Sequence, residues 1–295
     1  MSAPDATGTG TSSSPTGDAP TDAAGDRGDA ERAFFHLELD PTNRHGSFTV
    51  ADSMSNPRGT FYGGAGVAVA CAAMEAATGR RLLWTTLQFP GGATRGDQLD
   101  VAIDVVAHGR RTSQVRVTAH LDGAEVFTAL GATGEPREGA VHGFGAMPKV
   151  RAPLDSPIEE QHWEGDVRRS KFGTTQYRVP ADPADLAATD THAAWWMRVP
   201  GLTASAPLLG YVSDVVALGV FAAIGHDDTR ASSLDNTLRV GAPSDTEWVL
   251  VDVRTQLVAD GYGHGTAYLW APDGTLLGVA SQTLALRSAA PATGG

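Results

Sequence analysis

The chain has 295 residues, of which 41% are hydrophobic and 19% are charged, a composition typical of globular proteins. Its net charge of −12 argues against a nucleic-acid partner, because phosphate binding needs a basic surface. The single cysteine, Cys71, excludes an intrachain disulfide and a multi-cysteine metal site, and this cysteine usage favours a cytoplasmic location.

The N-terminal segment contains almost nothing to bury. Residues 1–30 are rich in Gly, Ser, Thr, Pro, Ala and Asp and are predicted to form a disordered tail. They have no basic start and no apolar core, which argues against a signal peptide. The apolar run AGVAVACAAM at 65–74 is far shorter than the roughly 20 residues that a membrane-spanning helix needs. No membrane span is therefore predicted.

A first structural unit is predicted over residues 31–136. Two extended runs, AFFHLELD and GSFTVAD, precede the alanine-rich stretch AGVAVACAAMEAATG, which is interpreted as one buried helix ended by Gly79. Four runs with strand character follow: LLWTTLQF, QLDVAIDVVAHG, TSQVRVTAHLDG and AEVFTALGATG. Residues 137–190 are rich in Pro and Gly with weak periodicity, and are interpreted as a long connector that crosses the surface.

The same order recurs over residues 191–290. The strand-like HAAWWMRVPG is followed by APLLGYVSDVVALGVFAAIG, predicted as one apolar helix, and then by four further strand-like runs. Thr86 and Thr237 both lie at strand starts and are 151 residues apart. Two Asp-Gly pairs, at 122–123 and 273–274, have the same offset and are typical of hairpin turns. These anchors predict a tandem repeat of one unit.

The two apolar helices indicate the fold class. A helix that is hydrophobic nearly all round must be buried on most sides. One such helix followed by a meander of antiparallel strands indicates a sheet that curls around the helix, which is the hot-dog arrangement. Two copies in tandem predict an α+β fold of the double hot-dog type, each half a long buried helix wrapped by a curved antiparallel β-sheet.

One carboxylate stands in the middle of the second apolar helix, at Asp214 in YVSDVVALGV. A charge taken out of water is costly unless it is paired or hydrogen-bonded. Asp214 therefore reaches solvent from the helix, forms a structural ion pair, or has a functional role. The functional alternative is a general base, or an acceptor that orients an attacking water.

Three second-half segments, YVSDVVALGV, ASSLDNTL and GTLLGVASQTLALR, resemble motifs of the acyl-CoA thioesterase II family, the double hot-dog thioesterases. FYGGAGVAVACAA resembles that family's first-half helix start, and AAWWMRVPG resembles the strand that opens its second half. The resemblance implies hydrolysis of acyl-CoA to a free acid and CoA. In that family an aspartate, a threonine or serine, and a glutamine hold and activate the attacking water. The matching positions here are Asp214, Ser233 and Gln282.

The sequence departs from the family's pattern at three places. Ala65 stands where a glutamine commonly follows the paired glycines, and Asn236 stands where a histidine usually follows Leu-Asp. The aromatic residues expected after it are replaced by TLRVGAPS. These departures concern the substrate and the efficiency more than the reaction type. The residues alone also leave open whether Ser232 or Ser233 faces the site, because neighbours on a strand point to opposite faces.

The paired glycines Gly63 and Gly64 form the start of the first helix. Glycine lets the backbone approach a ligand closely, and a helix N-terminus offers free N–H groups that would stabilise an oxyanion. The alternative is a tight turn before a helix. Cys71, seven residues after Gly64, aligns with Asp214, so the first half lacks the acid and the second half lacks the glycines. One composite site per chain is predicted.

No metal or cofactor is predicted. The histidines show no HExxH spacing, and the chain has no G-x-S-x-G elbow, P-loop or G-x-G-x-x-G after a strand. The expected partner is the acyl-CoA substrate, and the resemblance implies a homo-oligomer of double hot-dogs. Two other functions stay open. One is a non-catalytic acyl-CoA or acyl-ligand binding protein on the same fold, and the other is a dehydratase or hydratase, although neither predicted helix contains the histidine that such enzymes usually need.

Overall fold

The computed structural model describes residues 22–139, 143, 145–159, 165–179, 192–225 and 229–288. Five α-helices lie in these ranges: α1 (Asp22–Phe34), α2 (Gly63–Thr78), α3 (Lys171–Thr174), α4 (Ala206–Ser213) and α5 (Val216–Ile224). The strands are β1 (Glu38–Leu39), β2 (His45–Thr49), β3 (Arg81–Gln88), β4 (Gln98–His108), β5 (Thr112–Leu121), β6 (Ala124–Gly134), β7 (Gln176–Arg178), β8 (His192–Arg198), β9 (Thr229–Val240), β10 (Val249–Ala259), β11 (Tyr262–Trp270) and β12 (Leu276–Ser288).

All described strands belong to one 12-stranded antiparallel sheet with the order β1-β2-β4-β5-β6-β3-β9-β12-β11-β10-β8-β7. The meander β4-β5-β6 with β3 repeats in the second half as β10-β11-β12 with β9. The two halves meet where β3 pairs with β9. This arrangement confirms the predicted double hot-dog fold.

Helix α2 forms the centre of the first half. Its residues from Gly64 to Met74 are buried, and strands β3 to β6 pack around it. Alanine-rich sequence suits this position, because small side chains let the sheet and helix α4 approach α2 closely. The helix ends at Gly79, which adopts a left-handed conformation with φ 64° and donates its N–H to Glu75 O, as the sequence predicted.

The two repeat anchors, Thr86 and Thr237, are partners across the junction of the halves. They face each other in the β3–β9 ladder, and their Oγ1 atoms are 2.8 Å apart. Equivalent positions of a two-fold repeat meet only at the axis that relates the halves. The pseudo-two-fold axis of the chain therefore passes between these two threonines.

The second apolar helix is broken, whereas the sequence predicted one continuous helix. Helix α4 ends at Ser213, Asp214 adopts φ −80° and ψ 56°, and α5 starts at Val216. A break releases backbone carbonyls that need other donors. The Tyr62 hydroxyl lies 2.7 Å from Tyr211 O and 3.0 Å from Asp214 O and donates to these released carbonyls. The break is thus satisfied by the other half of the chain.

Two of the predicted boundaries differ from the structure. Helix α1 starts at Asp22, inside the segment predicted as a disordered tail, so that prediction is wrong for residues 22–30, and residues 1–21 lie outside the described residues. The rings of Phe34 and Phe35 pack at 5.7 and 5.5 Å from the Tyr211 ring, which anchors the helix. The AFFHLELD run, predicted as extended, begins within this helix.

The predicted connector contributes to both halves. Strand β7 lies within it and extends the second half of the sheet by pairing with β8, while α3 packs on the short 3-10 helix Asp52–Met54 of the first half. The Trp196 indole N–H donates to Arg151 O at 2.9 Å, so part of the connector also covers the outer face of the second half of the sheet. The division into units at 136 and 190 stays a prediction.

The segment Ala206–Ile224 is 19 residues long and is apolar enough to cross a membrane by length and composition. Most of it is buried inside the described structure. Core helices of soluble proteins meet the same criterion, so this is weak evidence for a span. Here the segment packs against α2 and against strands β8 to β12.

Candidate active site

Asp214 lies at the junction of the two halves, where its carboxylate is held by donors from both. Only 8% of the residue is exposed. Its Oδ2 accepts the Gly64 N–H at 2.7 Å. Its Oδ1 accepts from Gln282 Nε2 and, at 3.4 Å, from Asn236 Nδ2. The aspartate thus neither reaches solvent nor forms an ion pair among the described residues.

The break in the second helix explains how Asp214 reaches this position. Asp214 follows the last residue of α4 and points at the first turn of α2, whose own N-cap residue, Tyr62, makes no side-chain cap. The N–H groups of a first turn lack partners within the helix and carry a partial positive charge. The carboxylate of Asp214, from the second half, therefore caps helix α2 of the first half.

Gln282 joins Asp214 to the predicted serine. Its Nε2 donates to Ser233 Oγ at 2.7 Å as well as to Asp214 Oδ1, so both amide N–H groups are used. Its Oε1 is buried without a partner among the described residues. Ser233 is half-buried while Ser232 is exposed, so Ser233 is the serine that faces this cluster. Asp214, Ser233 and Gln282 are thus brought together.

Asn236 belongs to the same cluster, although the sequence indicated it only as a departure from a family pattern. It is buried and pairs directly opposite Gln282 in the β9–β12 ladder. Ser233 and Asn236 are three residues apart, and strict alternation would place them on opposite faces. A β-bulge at Leu234 shifts the register by one residue and brings both to the inner face. No sequence signal marked this bulge.

The predicted glycines stand where no side chain fits. A Cβ on Gly64 would lie 2.5 Å from Tyr211 O and 2.7 Å from the Tyr62 ring. A Cβ on Gly63 would lie 2.8 Å from Asp214 Oδ2. The Gly64 N–H is donated to Asp214, so it is not free for a substrate carbonyl in this structure. The Gly63 N–H has no acceptor among the described residues and is the available donor.

Cys71 occupies the position in α2 that Asp214 occupies after α4. Cys71 is the ninth residue counted from the helix start at Gly63, and Asp214 is the ninth counted from the helix start at Ala206. Cys71 is fully buried, and burial raises the pKa of its thiol well above the usual value. The thiol is therefore protonated and does not act as a second acid or as a thiolate nucleophile.

An aromatic cluster with a buried lysine lies against the ring of Tyr62. The Lys171 Nζ, from the connector helix α3, stands over the Tyr62 ring at 3.6 Å from its centroid and 5.0 Å from that of Phe172. Burial lowers the pKa of Lys171 to about 7, while the charge of Asp214 acts in the opposite direction. Sequence reasoning missed this lysine, because the connector has no periodicity that would indicate burial.

The lowered pKa of Lys171 should make the folded protein more stable as the pH rises. The unfolded lysine keeps its proton up to about pH 10, whereas the folded one loses it near pH 7. The unfolded state therefore binds more protons between these values, and the free energy of unfolding should gain up to about 1.4 kcal/mol per pH unit from this group. Chemical denaturation across this range should show the rise in wild type and in Lys149→Met, an exposed lysine. An identical rise in Lys171→Met would contradict it.

The described residues contain no cluster of His, Cys, Asp and Glu that could hold a metal ion. The groups gathered around Asp214 are instead a carboxylate, two amides, a hydroxyl and a helix N-terminus. Such a set can accept a proton, orient a water molecule and donate to an oxyanion.

Two hot-dog units in one chain, with a carboxylate, amides and a hydroxyl gathered at their junction, define the double hot-dog class of proteins. Residues 50–134 match the model of the acyl-CoA thioesterase N-terminal domain, and residues 149–286 match that of the acyl-CoA thioesterase C-terminal domain. Together the two matches cover more than half of the chain. The chain therefore belongs to the acyl-CoA thioesterase II family, as its motifs suggested.

Several solved structures share this fold. A protein from Novosphingobium aromaticivorans, provisionally described as a thioesterase, is 25% identical with a TM-score of 0.79, over 85% of this chain and 98% of that one. A hot-dog protein of unknown function from Alicyclobacillus acidocaldarius is 22% identical with a TM-score of 0.74, over 89% and 98%. The acyl-CoA thioesterase II TesB2 from Mycobacterium marinum is 16% identical with a TM-score of 0.70, over 90% and 99%. Curated protein sequences gave no match.

Proposed function

We propose that this chain hydrolyses acyl-CoA thioesters to a free acid and CoA, with Asp214, Ser233 and Gln282 holding the attacking water. The observation that carries the proposal is the position of the Gln282 amide. It bridges the Asp214 carboxylate and the Ser233 hydroxyl beside the N-terminus of α2. A cytoplasmic location remains a prediction from cysteine usage.

The unused lone pairs and donors suggest where the water is held. Asp214 Oδ2 accepts one described hydrogen bond, from Gly64, and so keeps a lone pair for a proton of the water. Gln282 Oε1 has no described partner and accepts the other proton. Two accepted protons leave the water oxygen with its lone pairs directed at the thioester carbonyl. Ser233 fixes the amide orientation by accepting from Nε2.

The reaction then proceeds without a covalent enzyme intermediate. The water oxygen attacks the carbonyl carbon while Asp214 takes the proton as general base. The carbonyl oxygen gains the negative charge and accepts from the Gly63 N–H, where the positive end of α2 stabilises it. The C–S bond breaks, the CoA thiolate leaves, and the proton held by Asp214 passes to the departing sulfur. A thiolate leaves easily, so orientation and carbonyl polarisation contribute much of the rate.

The proposal is tested by measuring free-thiol release from a series of acyl-CoA esters of rising chain length. Cys71 is the chain's single cysteine and is buried, so the protein itself gives a low background with thiol reagents. Wild type should release thiol from at least one chain length in proportion to enzyme concentration. A chain that binds acyl-CoA but releases no thiol from any ester is a binding protein, and the hydrolase proposal is then wrong.

Adjacent serines on β9 provide a matched pair of variants. Ser233→Ala removes the acceptor that fixes the Gln282 amide and should lower kcat about tenfold, the equivalent of one hydrogen bond. Ser232→Ala removes an exposed hydroxyl from the opposite face and should leave kcat within about twofold of wild type. Steady-state thiol release from the best ester measures both. Equal rates for the two variants would show that Ser233 has no role in the reaction.

A further inference from the structure

The aromatic cluster beside the site holds two polar groups that lack protein partners. Lys171 is 5% exposed, and its ammonium makes no hydrogen bond or ion pair with a described residue, only contacts with the rings of Tyr62 and Phe172. Tyr177 is 3% exposed, and its hydroxyl is buried without a partner among the described residues. Buried polar groups are normally hydrogen-bonded, so each of these is an exception that needs a cause.

The two groups belong to one cluster. The Phe172 ring lies 5.0 Å from Lys171 Nζ and 5.3 Å, between centroids, from the Tyr177 ring. All three residues are on the connector, on α3 and on the β7 strand that follows it. The Lys171 ammonium and the Tyr177 ring therefore both lie next to one aromatic side chain.

A single tyrosine ring separates this cluster from Asp214. Tyr62 carries Lys171 on its face, while its hydroxyl lies 3.0 Å from the Asp214 backbone carbonyl. The charge of Asp214 also acts on the pKa of both Lys171 and Tyr177, although burial is the larger cause for each. The distance across one ring corresponds to a few carbon atoms of an acyl chain.

We propose that Lys171 and Tyr177 form a subsite for a carboxylate at the far end of the acyl chain, so that the preferred substrates are CoA thioesters of short dicarboxylic acids. The inference rests on the proposed hydrolase function and specifies its substrate class. The carboxylate accepts from the Lys171 ammonium and from the Tyr177 hydroxyl, while the rings of Tyr62 and Phe172 contact the methylene groups between its two ends.

A carboxylate fits this subsite better than an uncharged group. An ammonium without a counter-charge is costly to bury, and an anion that pairs with it removes most of that cost. Charge-assisted hydrogen bonds are also about twice as strong as neutral ones. A methyl-terminated acyl chain would leave both donors unpaired in a closed site, and sites built to hydrogen-bond one substrate group reject analogues that lack it.

The chain's composition provides an unusual control. It contains only two lysines, Lys171 and the exposed Lys149. The substitution of Met for Lys can therefore be made once inside the cluster and once outside it. Tyr177→Phe removes the unpartnered hydroxyl and keeps the ring, which gives a second variant that does not depend on how Lys171→Met folds.

The experiment compares kcat/KM for three substrate pairs of equal carbon number: succinyl- with butyryl-CoA, glutaryl- with valeryl-CoA, and adipyl- with hexanoyl-CoA. Wild type and Lys149→Met should prefer the carboxylate in at least one pair by about tenfold or more, the effect of a hydrogen bond to a charged group. Lys171→Met should abolish that preference, and Tyr177→Phe should reduce it. Free glutarate binding by calorimetry, with the same variants, gives a readout that needs no hydrolysis.

The outcomes separate this inference from the proposed function. Thiol release with equal or greater preference for the methyl-terminated partners overturns the subsite and leaves the hydrolase intact. An unchanged preference in both Lys171→Met and Tyr177→Phe does the same. If no ester is hydrolysed, the hydrolase proposal fails, and glutarate binding that Lys171→Met abolishes still supports the subsite. If no ester is hydrolysed and wild type does not bind glutarate either, the subsite proposal is also overturned.

Discussion

Replacing Asp214 by Asn should lower kcat for thiol release by about 10²–10⁴-fold, the range that a positioned general base contributes. The amide cannot take the proton of the attacking water. It also places an NH₂ group where the carboxylate accepts from Gly64 and Gln282. One of these donors then loses its acceptor, so we expect the free energy of unfolding to fall by about 1–3 kcal/mol as well.

The loss of rate and the loss of stability must be separated, because Asp214 also caps α2. Asp252→Asn provides the control. Asp252 is fully buried, pairs with His192 and Arg254, and lies on β10 outside the cluster around Asp214. Its replacement should cost stability of similar size while kcat stays near that of wild type. If Asp214→Asn loses stability and keeps its rate, Asp214 is a structural cap and the proposed mechanism is wrong.

Replacing Gly64 by Ala should impair both folding and catalysis. The new Cβ would lie 2.5 Å from the backbone oxygen of Tyr211, so α2 and α4 must move apart. Small-to-large changes in a packed interior cost about 1–3 kcal/mol. The same movement lengthens the Gly64 N–H bond to Asp214, now 2.7 Å, and should lower kcat by about tenfold or more.

Gly66→Ala is the matched control in the same helix. Its Cβ would meet the rings of Phe61, Phe89 and Phe127 at 3.4–3.5 Å, which is ordinary contact. Alanine is favoured over glycine inside a helix by about 1 kcal/mol, so this variant should be as stable as wild type or more stable. Chemical denaturation and thiol release, measured on both variants, check the prediction. Equal stability of the two would show that the helices tolerate a side chain at their crossing.

Repetition in the sequence was the most informative signal for the fold and for the site. The shared offset of Thr86 and Thr237 indicated two copies, and these residues meet at the pseudo-two-fold axis. Comparing the two apolar helices indicated a composite site, and Asp214 does contact the first turn of α2. Hydrophobic patterning was sufficient here because α2 from Gly64 to Met74 and the whole of α4 are buried.

Other features of the site depend on backbone irregularity, which apolar patterning does not encode. The break after Ser213 is stabilised by the Tyr62 hydroxyl, a contact between residues about half a chain apart. The bulge at Leu234 brings Asn236 to the inner face against simple alternation. Lys171 is buried by the packing of α3 on residues 52–54, inside a connector whose composition is typical of exposed loops.

The pseudo-two-fold axis between Thr86 and Thr237 has a consequence for how such a site can change. In a dimer of identical single units, every residue occurs on both sides of the axis, so an acid gained by one site is gained by the other. Here the equivalent positions hold Asp214 and Cys71 and can vary independently. Covalent fusion therefore allows one half to supply the acid and the other the helix N-terminus, a division of labour that a symmetric pair of identical chains cannot encode.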